Sequence, residues 1–189
     1  MITKDRMYRS FEFEAQEEGM VVKGKPVVFN SSTVLYEIDE VEYKEVIDAR
    51  AFESCDISDV VLNIDHTGKP AAKTKNGTLS LEVKTDGVYM EADLSKNETG
   101  RELYEDIQNG FYDKMSFAFS VEDDEYDRAT HTRTIKKIGR LFDVSAVTFP
   151  AYNNTTISAR SFFEVEAEKE RKLAEANELR KKLILKTYL

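Results

Sequence analysis

The segment TLSLEVKTDGVYMEADLS, Thr78 to Ser95, constrains this chain more than any other. Leu79, Leu81 and Val83 alternate with polar residues, Asp86-Gly87 supplies a tight turn, and Val88, Met90 and Ala92 resume the alternation. Period-two alternation on both sides of such a pair makes a β-hairpin with one buried face. A hairpin cannot hide that face alone, so the surrounding chain must supply more sheet.

It does so through residue 160. VVKGKPVVFN, Val21 to Asn30, carries apolar residues on both sides of a Gly-Lys-Pro break. VVLNIDH, Val60 to His66, is an apolar run that ends in polar residues. DKMSFAFSVE, from Asp113, sets Met115, Phe117 and Phe119 against Ser116, Ala118 and Ser120. THTRTIKKIGRLFDVSAVTF holds one or two further strands, with Gly139 as a bend or bulge. SKNETGRELYEDIQNGF reads as a helix, with an Asn/Thr start and an Asn109-Gly110 stop. YKEVIDARAFES, from Tyr43, is expected to form a short helix. Lys69–Gly77 and Glu122–Arg128 are charge-rich and are expected to be solvated turns.

The character changes at Ser161. From there to Leu189 the chain lacks Gly and Pro and carries six Glu and seven Lys or Arg, so the net charge of -9 sits in the preceding body. Phe162, Val165, Leu173, Ala176, Leu179 and Leu183 recur at helical spacing, which predicts one long amphipathic helix. Its apolar stripe could meet a helical partner, meet a second copy, or pack back on the body. The expected organisation is mainly β with α, an α+β class: a body over residues 1–160 and a helix over 161–189.

Charge and composition exclude several functions. An acidic surface repels phosphate, which argues against nucleic acid as a partner. No apolar run reaches the roughly 18 residues of a membrane span, and MITKDRMYRSFEFEAQ has no signal-like core. One cysteine, Cys55, cannot form an internal disulfide, and its acidic neighbours disfavour a thiolate nucleophile. Two histidines and one cysteine are too few for the familiar zinc sites, and no metal or other cofactor is expected.

Three residues stand out against this background. His66 closes an apolar strand, rigidly placed yet reachable, as a general base must be. His131, in RATHTRT, reads instead as a hairpin flank open to water. Ser116 sits among large core residues on a strand whose second face is small. Its small neighbours Ala118 and Ser120 would leave room for a peptide. Asp143 is a carboxylate in the apolar strand GRLFDVSAV, sharing a face with Leu141, Ser145 and Val147, and burial obliges it to find a partner. That partner is Arg140, Lys137 or a backbone amide if the residue is structural, and His66 if it is not.

His66, Ser116 and Asp143 come in the order and context found in a known family. The chain resembles the tailed-phage prohead (capsid maturation) serine proteases, distant relatives of herpesvirus assemblin. The resemblance rests on VVLNIDH, on DKMSFAF after a helix ending in Asn-Gly, and on LFDVSAVTFPA followed by YNNTTIS, and it spans Tyr8 to Arg160. It implies an assemblin-like antiparallel β-barrel of about six or seven strands flanked by helices. By the same resemblance Ser116 is the nucleophile, His66 the base and Asp143 the acid, where the family more often has Glu. Ala118 takes a place where Gly is frequent. Oxyanion donors fall within Pro150–Thr155. The implied activity is serine endopeptidase cleavage of scaffold, of the scaffolding region of the major capsid protein, or of both, and of the protease itself. The implied place is the host cytoplasm, inside the immature prohead, with a homodimer as one arrangement. The alternative is a capsid-assembly or scaffold protein that keeps the fold without activity.

Overall fold

The computed structural model describes residues 10–15, 19–38, 40–148 and 157–187. They form a mixed α+β chain, mainly strands, with a long C-terminal helix. The strands are β1 (Ser10–Ala15), β2 (Val21–Val28), β3 (Thr33–Ile38), β4 (Val41–Ile47), β5 (Val61–Ile64), β6 (Thr67–Lys73), β7 (Leu79–Lys84), β8 (Gly87–Asp93), β9 (Lys114–Asp127) and β10 (Thr132–Val147). The helices are α1 (Glu98–Gln108) and α2 (Ile157–Thr187).

The hydrogen-bonded order is β3-β4-β10-β9-β1-β2-β8-β7, with β5 on β10 and β6 on β5. Among the described residues this corrects the expected count of six or seven strands to ten, and the path is open rather than closed into a barrel. Its bend is β1, whose Ser10–Glu12 pair with β9 and whose Phe13–Ala15 pair with β2. At one end of the path β7 exposes Glu82, Val83 and Lys84, a charged rim of the kind that discourages further pairing.

Strand β10 organises the site. One edge pairs antiparallel with β9 along nearly its whole length. The other edge carries β4 and then β5, both parallel to it. The helix expected from Tyr43 is therefore absent: β4 buries Tyr43, Glu45 and Ile47 in strict alternation, and turns follow. The two charge-rich segments are not simple turns either. Lys69–Lys73 lies in β6, where Ala71 and Ala72 are buried, and Glu122–Asp127 is the outer arm of β9. A hairpin arm in water keeps its ladder without an apolar face, so composition alone misreads it. Gly139 does sit among the register shifts of β10.

Met115, Phe117 and Phe119 are wholly buried and pack with Leu141, Val144, Leu62 and Leu103 in the main core. Helix α1 covers that core and presses on β6. Its N-cap Asn97 accepts from the Gly100 amide at 2.8 Å and donates to the Ala71 carbonyl at 2.9 Å. Gly100 has to be glycine, because a Cβ there would lie 2.4 Å from the Leu94 carbonyl oxygen. Asn97→Ala is expected to cost about 1 to 2 kcal/mol, since cap and strand tie go together; urea denaturation measures it.

Helix α2 begins at Ile157, slightly before the expected Ser161. Its early turns dock. Phe163 and Ala167 are buried with Leu35 and Tyr43, and Arg133 stacks on Phe162 at 4.3 Å. Further along, Leu173 and Leu179 are 53% and 61% exposed. The helix thus packs on the body at its start and presents a solvated face beyond. Among the described residues no helix is long and apolar enough to cross a membrane.

Candidate active site

His66 lies in the two-residue turn between β5 and β6, where Ile64 pairs with Thr67. Asp65 and His66 both have left-handed backbones, φ 46° and 58°. That conformation matches a tight hairpin turn but costs a non-glycine residue roughly 1 kcal/mol. The turn is held by β10: the Asp65 amide donates to the Ala146 carbonyl at 2.9 Å, and the Thr148 amide to Asp65 Oδ1 at 3.3 Å. The imidazole is held by Asp143, with Nδ1 2.6 Å from Oδ1. A carboxylate only accepts, so Nδ1 carries the hydrogen, and in the neutral ring Nε2 is the basic nitrogen.

Asp143 reaches this position through a bulge. Leu141 pairs with Phe119 and faces the core, but the ladder slips one residue at Phe142 and Asp143 pairs with Ala118. The slip inverts the phase of the strand, as bulges do. The expectation that Asp143 shares a face with Leu141 is therefore corrected. Leu141 and Val144 point into the core, while Asp143 and Ser145 point to the other side. Asp143 is 3% exposed and does not turn to the neighbouring cations. Lys137 is engaged by Glu122 at 2.8 Å, and Arg140 lies 3.8 Å from both Asp56 and Asp59. Asp143 Oδ1 instead accepts from His66 and from Ser145 Oγ, the latter at 2.8 Å.

Ser116 stands in the next row of the same face. Across the ladder it pairs with Ser145, and Ser145 pairs with Asn63 on β5. Three strands thus line up Ser116, Ser145 and Asn63 beside Asp143. Ser116 is 1% exposed, and its Oγ has no hydrogen-bond partner among the described residues. The structure therefore joins His66 to Asp143 and sets Ser116 on an adjacent strand without a hydrogen bond from its hydroxyl to His66.

The small residues beside Ser116 have a different use from the one expected. Ala118 is fully buried opposite Asp143, so its methyl leaves room for the carboxylate and imidazole. Ser120 Oγ accepts from the Arg140 amide at 3.1 Å. Asn63 escaped the sequence reading altogether. Only its alternation with Leu62, which faces the core, could have flagged it. The proposed oxyanion segment Pro150–Thr155 lies outside the described residues.

His131 belongs elsewhere: it sits in the turn between β9 and β10, a hairpin flank as expected, with its side chain 30% exposed. It lies 3.2 Å from Glu170 of α2 and packs on Tyr43. Its neighbour Thr132 pairs with Asp127, eleven residues up β9 from Ser116, roughly 35 Å at the usual strand rise. The Cys55 thiol is pushed up to about 12 by burial, with Asp56 and Glu122 adding to the effect. Cys55→Ser is expected to leave proteolysis unchanged, and iodoacetamide should label the native thiol far more slowly than the unfolded one.

A family model described as caudovirus prohead serine protease matches residues 9–170. The chain belongs to that family. Serine protease chemistry in the phage prohead, with a role in capsid maturation, follows from the membership. Among solved structures, the bacteriophage T4 capsid assembly protease, gp21, is similar at 13% identity and a TM-score of 0.49, covering 77% of this chain and 98% of that one. No curated protein sequence matches.

Proposed function

We propose that this prohead protease works through Ser116, His66 and Asp143. The observation that carries the reading is the 2.6 Å contact between His66 and Asp143 on the sheet face that also holds a Ser116 hydroxyl without a hydrogen-bond partner among the described residues. Asp143 fixes the ring so that Nε2 is the base. His66 then takes the Ser116 proton as Oγ attacks a peptide carbonyl, and later returns it to the departing amine. Water, deprotonated by the same imidazole, releases the acyl group. Backbone amides within Pro150–Thr155 stabilise the oxyanion.

By family resemblance the substrates are scaffold or the scaffolding region of the major capsid protein, and the protease itself. Those are also its partners, met inside the immature prohead in the host cell. The solvated face of α2 suits a helical contact there, with scaffold or with a second copy. Residues 1–160 would act as the protease body and 161–189 as the contact helix. Co-expression with the capsid protein tests the reading. Mass spectrometry should find discrete truncated products with the intact chain and only full-length capsid protein with Ser116→Ala. The same products from both would sink it.

A further inference from the structure

We propose that Ser145 is a positioning residue for the reaction, a fourth member of the site that orients the Asp143 carboxylate; this rests on the reading of Ser116, His66 and Asp143 given above. Ser145 is fully buried, and its hydroxyl donates to Asp143 Oδ1 at 2.8 Å, the same oxygen that meets His66 Nδ1. Its backbone stands opposite Ser116 on one side and Asn63 on the other. One residue thus pairs with the nucleophile's strand through its main chain and holds the carboxylate through its side chain.

The arrangement has a mechanical reason. Asp143 follows directly on the bulge at Phe142, where the ladder is irregular and a side chain is least constrained by its strand. Ser145 lies beyond the irregularity, in regular pairing with β9 and β5. A hydrogen bond from the regular part of β10 back to Asp143 removes the freedom that the bulge introduces. It has an electronic consequence as well. A donor on Oδ1 disperses charge that would otherwise face the imidazole.

The test compares Ser145→Ala with the unaltered chain on a peptide carrying the capsid cleavage site, across pH. The expected result is a fall in kcat on the order of 10- to 100-fold with little change in KM, since misplacement of a working group affects the chemical step. The acid limb of the kcat/KM profile, which reports protonation of His66, should move to higher pH, because more negative charge then faces the ring. Ser145→Thr keeps the donor and should return the limb to its original place. If the alanine variant does not fold, Ser145→Cys, similar in size with a weaker donor, replaces it with the same directions of change. Unchanged kcat and an unmoved limb in a folded Ser145→Ala, with Ser116→Ala inactive, would overturn the proposal. Activity persisting in Ser116→Ala would instead overturn the site reading beneath it.

Discussion

Replacing Ser116 by alanine should abolish cleavage and leave the protein as stable as before, or slightly more so. The two halves of this result come from different physics. Removing the nucleophile of a serine triad costs on the order of a million-fold in kcat, because the remaining groups have no covalent intermediate to form. Stability should go the other way. The Ser116 hydroxyl is buried without a hydrogen-bond partner among the described residues, a state that costs about 1 to 3 kcal/mol. Alanine keeps the fold of β9, held on its other face by Met115, Phe117 and Phe119, and deletes the orphaned group. A change between zero and about 1 kcal/mol of added stability is expected. A serine with only a structural role would instead leave cleavage intact, whatever the change in stability. Peptide turnover separates the cases, and urea denaturation on the same two samples measures the stability.

Asp143→Asn should lower kcat by roughly 10,000-fold, as loss of the carboxylate does in other triads. The substitution preserves size, so the effect is not one of packing against Ala118. An asparagine amide can donate to Nδ1 where the carboxylate could only accept. The ring hydrogen is then driven to Nε2, the nitrogen that must be empty to take the serine proton. Asp143→Ala should be less stable as well as inactive. It strands the Ser145 hydroxyl and removes the contact that compensates His66 for its left-handed backbone. NMR of the imidazole nitrogens in the Asn variant measures the tautomer directly, alongside the rate.

The parts of this protein legible in its sequence are those with local causes. The β7–β8 hairpin, the cap and stop of α1, the alternation of β9 and the length of α2 each follow from residues a few positions apart. The site is a different matter. His66 and Asp143 could each be nominated, one for closing a strand and one for being a misfit carboxylate. Nothing local said that they touch. Their contact depends on the parallel pairing of β5 with β10, which joins residues about 80 apart in sequence, and on the bulge at Phe142 that turns Asp143 off the core face. A period-two reading carried straight through Phe142 puts Asp143 beside Leu141, on the wrong side of the sheet. Asn63 and the donor role of Ser145 stayed hidden for the same reason, since both are set by register across three strands. Strand β6 stayed hidden because Gly68, Lys69 and Pro70 look like a loop, while only Ala71 and Ala72 are buried. The family resemblance supplied a function that periodicity could not, and it is the geometry around Asp143 that gives that function a concrete base.

The most direct measurement is to treat the folded protein with a phosphonate probe that reacts only with activated serines, and to find the modified residue by mass spectrometry. Ser116 should carry the adduct, and His66→Ala should lose it while keeping the fold. An adduct on a different serine, or cleavage of the capsid protein that persists without any adduct on Ser116, would contradict the account.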